Sequence, residues 1–319
     1  MRPTKETGIL TVAGVSDPRK KGGPIEARFN ERQQIFELPP SRAAVADRLR
    51  EALDRGAPVK AVLNPRRGTL ERAEPVTERE LRAFEKERIL LPEPSRPATV
   101  DLARIDPTTF NIVDHYLNWP TFQLCTKVIP SYKVAKDIFD FCAAQSCHLP
   151  GPYAISHCIP FQYVRDGCYA RAHKMRQIIT DQYGYCCEKV FSFAIPYPTR
   201  LALKAGKWGG CCVTWWYHVA PLVRVRIKIK LRSFNFEFVL AMVIDPGMFD
   251  KPVLLSTWLG AQEDQTCWSA GPAKVTKYSI QPGSAYWPAD GQGNTFATDP
   301  NYTQTHQTLV AYKNLTTCP

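Results

Sequence analysis

Apolar positions recur at helical spacing in two stretches of the chain's second half. In 132–144 they are Val134, Ile138, Phe139 and Phe141; in 168–182 they are Ala172, Met175, Ile178 and Ile179. The second run follows Asp166-Gly167, turn and cap residues, and stops near Gly184, which predicts a helix beginning at Cys168. Beyond it the pattern turns β-like, with strands expected at 187–194, 211–225, 226–232 and 234–245. Strict alternation through Trp215-Trp216-Tyr217-His218 puts Trp216, His218 and Ala220 on one face and Trp215, Tyr217 and Val219 on the other. The last fifty residues, rich in Thr, Gly, Pro and aromatics, read as irregular strands and loops.

The first 95 residues carry a different pattern. Strands are expected at 8–15, 26–38, 59–63 and 69–73, the last two joined by the turn Asn64-Pro65-Arg66-Arg67-Gly68. Ser41 is placed to cap a helix with Val45, Leu49 and Leu53 on one face, and Thr77-x-x-Glu80 forms a capping box before a second helix. Nothing in this small α/β unit brings a nucleophile, a base and an orienting acid together. Prolines 92, 94 and 97 then break both helix and sheet, so residues 96–123 read as a linker or wrapping segment before a second domain at 124–319. The whole is an α+β chain of two domains, and its 319 residues suffice for a sizeable core.

Composition adds a compartment and a sign of charge. No apolar run approaches the roughly 18 residues of a membrane-spanning helix, and the opening MRPTKETG has no apolar signal core. Ten of the eleven cysteines lie between Cys125 and Cys267, the eleventh is Cys318, and the first 124 residues have none. That asymmetry implies a disulfide-bearing second domain in an oxidising, extracellular setting, reached after loss of an export segment or by a signal-independent route. The odd count fits five bridges and one free thiol, and Cys147 and Cys158 bracket a loop that a disulfide would close. No paired CxxC pattern points to zinc, so no metal or cofactor is expected. The net charge is +11, and residues from Leu124 onward hold 20 basic against 12 acidic residues. The alternating Arg224-Val-Arg226-Ile-Lys228-Ile-Lys230 reads as one solvated strand face, and no motif indicates nucleic acid or membrane as a partner.

A thiol at a helix start is where a nucleophile belongs. An unperturbed thiol has a pKa of about 8.5, and the positive end of a helix favours its ionised form. Taken alone, Cys168 reads more readily as a buried structural cysteine. Such a nucleophile needs a base and a group to orient it. His173, five residues after Cys168, points elsewhere on the helix and reads as structural. His218, set in an aromatic strand, needs a partner, and Asp245 closes the following strand, where pairing can bring its carboxylate across. Asp245-Pro246-Gly247 is equally a plain turn, and His218 equally a satisfied core histidine. Trp216 and Tyr217 are candidates to wall a substrate groove, or simply core.

In the order Cys168, His218, Asp245 these residues form the pattern of transglutaminase-like folds, a Cys-bearing helix on an antiparallel sheet. The resemblance narrows further. The blocks IPFQYVRDGCYARAHKMRQII, GYCCEKVF, CCVTWWYHVAPLV and VIDPGMF look like those of bacterial protein glutaminases, secreted enzymes that deamidate glutamine side chains in proteins. By that resemblance the nucleophile falls on Cys168, the imidazole on His218 and the carboxylate on Asp245. RLREALDRGAPVKAVLNP and TERELRAFEKE resemble the family's pro-region, which implies an inhibitory pro-domain at 1–95 covering the site of a latent, monomeric proenzyme. Protein or peptide glutamine would be its substrate. Intervals between the three site residues are longer than the family's, with apparent insertions near 197–209 and 226–236. Other readings are a transglutaminase passing the acyl group to an amine, a cysteine protease, a deamidase effector aimed at one host protein, and an inactive disulfide-rich binding module.

Overall fold

The computed structural model describes residues 5–17, 23–91, 99–101, 127–231 and 234–318. Most of the predicted linker lies outside them. In the N-terminal unit, β1 (Glu6–Val15), β2 (Ile25–Phe29), β3 (Arg32–Leu38), β4 (Pro58–Asn64) and β5 (Thr69–Pro75) form a sheet covered by α1 (Ala43–Arg55). The expected single strand at 26–38 is a hairpin whose two arms pair Phe29 with Arg32 around a turn at Asn30-Glu31. Ala46, Leu49 and Ala52 of α1 are buried with Phe29, Phe36, Val59 and Leu63 in this unit's own core. Ser41 does not cap α1. It lies in a 3-10 turn, Pro40–Arg42, and the helix starts with no side-chain cap. The Thr77–Glu80 capping box does form, opening α2 (Glu78–Glu87).

The chain then adds two short strands, β6 (Ile89–Leu90) and β7 (Thr99–Asp101), to sheets built by the second half. There α3 (Tyr132–Ala144) and α4 (Cys168–Asp181) precede β8 (Glu188–Phe193), β9 (Leu201–Lys204), β10 (Cys212–Trp215), β11 (Tyr217–Leu231), β12 (Phe234–Val243) and β13 (Val253–Leu254). After α5 (Leu255–Gly260) come β14 (Lys277–Gln281), β15 (Ala285–Pro288), β16 (Phe296–Thr298) and α6 (Thr303–Tyr312). An antiparallel sheet of order β13-β12-β11-β8-β14-β7 carries α4 against β11, with Ile138, Phe139, Met175, Ile178, Phe191 and Val223 in the core between. Among the described residues no helix is long and apolar enough to cross a membrane.

Two departures from the periodicity have consequences at the site. The strand expected over 211–225 breaks at Trp216. β10 pairs with β9 and with β3 of the N-terminal unit, whereas β11 enters the other sheet and runs on without a break to Leu231. Helix α6 falls where loop is expected, because its TQTHQTLVAY is polar and rich in β-branched Thr; packing against α4 supports it.

Among the described residues three disulfides join Cys147–Cys158, Cys211–Cys318 and Cys212–Cys267, and Cys186 is also disulfide-bonded. Five bridges and one thiol do not result. Cys142, Cys168 and Cys187 are all free and buried, and Cys142 and Cys187 fill core space as small apolar side chains. Cys211–Cys318 closes a separation of 107 residues and ties the chain's end to the start of β10. Replacing both cysteines with Ala is expected to lower stability by about 4 kcal/mol, read from urea unfolding against the wild-type chain.

Candidate active site

Helix α4 begins at Cys168 because Gly167 can hold the left-handed turn before it, with φ 77°. Space demands glycine as well, since a Cβ there would lie 2.8 Å from Cδ2 of Tyr312 on α6. The helix is enclosed almost all round, and its Arg171 donates to the carbonyls of Tyr163 and Asp166. Cys168 is 1% exposed. Burial pushes its thiol well above the ordinary range, more than the Arg171 guanidinium pulls it back. In this covered form the thiol is therefore neutral.

His218 is the second residue of β11. Antiparallel pairing of β11 with β12, Leu222 opposite Val243, brings the carboxylate just past the end of β12 beside the imidazole near the start of β11. His218 Nε2 lies 2.9 Å from Asp245 Oδ2, which also accepts the Trp258 indole N–H at 3.0 Å. Asp245 makes its turn too, its carbonyl accepting from Met248 and Phe249, so the turn and the partner role coexist. The imidazole is stacked between Trp215, 4.7 Å away, and Trp258, 5.3 Å away. Alternation alone puts Trp215 on the opposite face from His218; the break at Trp216 turns it round. Burial lowers the His218 pKa despite Asp245. Burial pushes the Asp245 carboxyl up, but the bonds from His218 and Trp258 outweigh this and hold it below the usual range. A neutral imidazole with its proton on Nε2 and a free lone pair on Nδ1 satisfies all of these contacts.

That lone pair faces a glutamine. Gln33, at the start of β3 and 0% exposed, lies with its amide nitrogen 3.1 Å from His218 Nδ1 and its amide oxygen accepting the Cys168 N–H at 3.2 Å. The backbone N–H can only donate, which fixes the amide's orientation. The main chain of Gln33 is held as well: its N–H donates to Asp166 Oδ1 at 3.0 Å, and its carbonyl accepts from the Trp216 N–H at 3.4 Å. The Trp216 indole donates to the preceding carbonyl, that of Arg32, at 2.7 Å. Gln34 pairs with Trp215 as β3 joins β10, so the segment enters as an added strand. Asn30 anchors the hairpin tip on the Ala289 carbonyl, and Asp166 is set by the Tyr312 hydroxyl at 2.8 Å.

Of the three residues that the sequence points to, Cys168 meets this amide through its backbone N–H and His218 through Nδ1, and Asp245 bonds the other nitrogen of the imidazole. Of the two groove candidates, Trp216 holds the inserted strand, while Tyr217 packs edge-on against Trp216 at 4.6 Å. Gln33, Asp166 and Trp258 are additions that the sequence pattern does not single out. A glutamine beside a tight hairpin turn, in a unit expected to cover a glutamine-reactive thiol, is the available signal for the first. His173 is structural, as its position on the helix implies: Lys189 donates to its Nδ1 at 2.7 Å, and burial pushes its pKa down to about 2.

A protein-family model described as glutaminase matches residues 135–262, a span that contains all three residues. Among curated proteins none matches. A crystal structure of pro-protein-glutaminase is 27% identical and aligns over 98% of this chain and 95% of its own, with a TM-score of 0.67. A mutant of pro-protein-glutaminase, also 27% identical, aligns over 99% and 96% with the same TM-score. The NMR structure of protein-glutaminase from Chryseobacterium proteolyticum is 35% identical over 91% of its length and 60% of this chain, with a TM-score of 0.48. Because the pro-form match runs through the covering N-terminal unit as well as the cysteine site, the chain belongs to the protein-glutaminase family and includes that family's pro-region.

Proposed function

We propose that this chain is a proenzyme that, once uncovered, hydrolyses the side-chain amide of protein-bound glutamine to glutamate and ammonia, with Cys168 as nucleophile, His218 as proton carrier and Asp245 as its orienting acid. One observation carries the assignment of roles: a glutamine amide lies with its oxygen on the Cys168 N–H and its nitrogen on His218 Nδ1. The Cys168 thiol gives its proton to His218 and its sulfur attacks Cδ. Charge on the amide oxygen is met by the Cys168 N–H at the positive end of α4. His218 returns the proton to the departing nitrogen, which leaves as ammonia. Water, deprotonated by His218, hydrolyses the thioester and regenerates the thiol. Asp245 keeps the imidazole proton on Nε2 so that Nδ1 is the acceptor.

The pro-region strand also indicates how a substrate strand is gripped. Asp166 would take the N–H of the target glutamine, and Trp216 the carbonyls of that residue and of the one before it, none of which depends on side-chain identity. Trp216→Phe keeps an aromatic ring and removes the indole donor. It is expected to raise KM for protein substrate about tenfold with kcat little changed, measured as ammonia release by the trimmed enzyme. The disulfides support action in an oxidising, extracytoplasmic compartment.

The test is ammonia release from a glutamine-rich protein, before and after limited proteolysis within 92–122, with a primary amine present. Release after cutting, without amine incorporation, is the expected result. Efficient amine incorporation would make the enzyme a transglutaminase, and no release in either state would sink the assignment.

A further inference from the structure

The covering segment does more than block the site, because the residue it inserts has the functional group that the site acts on. Gln33 is not merely beside Cys168. Its amide oxygen, amide nitrogen, backbone N–H and carbonyl each have a partner from the catalytic half, Cys168, His218, Asp166 and Trp216 respectively. A residue that only plugged a site would need bulk, whereas this one presents its amide oxygen to the N–H that would stabilise a charge there and its nitrogen to the imidazole that would protonate it. Resting on the reaction proposed above, we infer that Gln33 is an intramolecular substrate, which the enzyme converts to a glutamate before the N-terminal unit is removed, and that the conversion loosens the cover.

The reaction balances with water as its co-reactant. A bond forms between Cys168 Sγ and Gln33 Cδ as the thiol proton passes to His218 Nδ1. The Cδ–Nε2 bond breaks as that proton moves to the nitrogen, which departs as ammonia. Water then adds to the thioester carbonyl, the Cδ–S bond breaks, and the products are a side-chain carboxylic acid at position 33, which ionises, and the restored thiol. Nothing is oxidised or reduced.

Loosening follows from a donor becoming an acceptor. The Gln33 amino group donates to the lone pair on His218 Nδ1. A carboxylate oxygen there would face that lone pair with one of its own, and the contact survives only if the imidazole takes a second proton against the effect of its burial. The new charge would also be enclosed with two carboxylates already present, Asp166 and Asp245, both 5% exposed or less. The hydrogen bonds from the Cys168 N–H and to Asp166 remain, so the cover is weakened rather than expelled.

The experiment compares wild-type full-length chain with Cys168→Ala, digesting both after timed incubation and weighing the peptide that contains residue 33. The expected result is glutamate at position 33, or a chain lighter by one ammonia and linked to Cys168, in the wild type alone, at a rate independent of protein concentration. Deamidation at position 33 that is equal in Cys168→Ala, or that quickens in proportion to concentration, overturns the inference. So does intact Gln33 in a wild-type chain whose trimmed form releases ammonia from added protein, and that result leaves the proposed function standing. Intact Gln33 together with an inactive trimmed form removes both. For the loosening, Gln33→Glu in the Cys168→Ala background should speed backbone hydrogen exchange at Trp216 and residue 33 roughly tenfold at neutral pH. Unchanged exchange overturns that part.

Discussion

Trimmed Cys168→Ala protein is expected to release no ammonia above the rate of an enzyme-free control, a loss of at least about four orders of magnitude in kcat. The reason is chemical: alanine has no electron pair to form the bond to Cδ. The free thiols Cys142 and Cys187 are not expected to substitute, since both are buried in the core as small apolar side chains. Folding should survive. Removing one buried sulfur atom is a small change in packing, so a urea midpoint close to wild type would separate a chemical loss from a structural one. Residual turnover near the wild-type rate would remove Cys168 from the mechanism.

Asp245→Asn is expected to cost about 10⁴-fold in kcat with KM much less affected. The carboxylate accepts two donors on one oxygen, His218 Nε2–H and the Trp258 indole N–H. An asparagine whose oxygen takes that place keeps both bonds but lacks the charge that stabilises the imidazolium, whereas one whose amino group takes it meets Nε2 as a donor and favours the imidazole tautomer with its proton on Nδ1. Nδ1 would then have no lone pair with which to take the thiol proton. The geometry need hardly change, which is why the loss should appear in kcat rather than in binding or stability. Ammonia kinetics on the trimmed enzyme measure it, and a fall of less than about tenfold would show that Asp245 serves its turn and not the imidazole.

The two effects bear on latency in different ways. Neutral thiol, neutral imidazole and charged Asp245 are the states that burial and hydrogen bonding favour while β3 is docked. Undocking β3 admits water, which reduces the desolvation that holds the thiol up and the imidazole down. Access and ionisation would therefore be released in one step.

Much of this protein is legible in its chain because much of it is local. The spacing of Val134, Ile138 and Phe139 suffices to mark α3, and Thr77 with Glu80 to mark the start of α2, since each signal acts within a turn or two of helix. Gly167 before Cys168 likewise announces a thiol at a helix start. Local preference misleads where a distant partner overrules it. Trp216 interrupts an otherwise regular strand because β10 and β11 belong to different sheets, and alternation says nothing about which sheet a residue joins. The polar α6 is held by α4, and Cys142 and Cys187 remain thiols within the packed core.

By itself, then, the sequence determined that a cysteine opens a helix, that a histidine and an aspartate lie on following strands, and that a cysteine-free unit precedes them. Tertiary structure alone decided that strand register joins His218 to Asp245, that Trp215 and Trp258 enclose the imidazole, and that Gln33 reaches a thiol-bearing residue 135 positions away. Periodicity and capping arise from forces between near neighbours, and so they are written in short stretches of chain. Contacts across such separations are set by how whole sheets pair and pack, and no short stretch contains them.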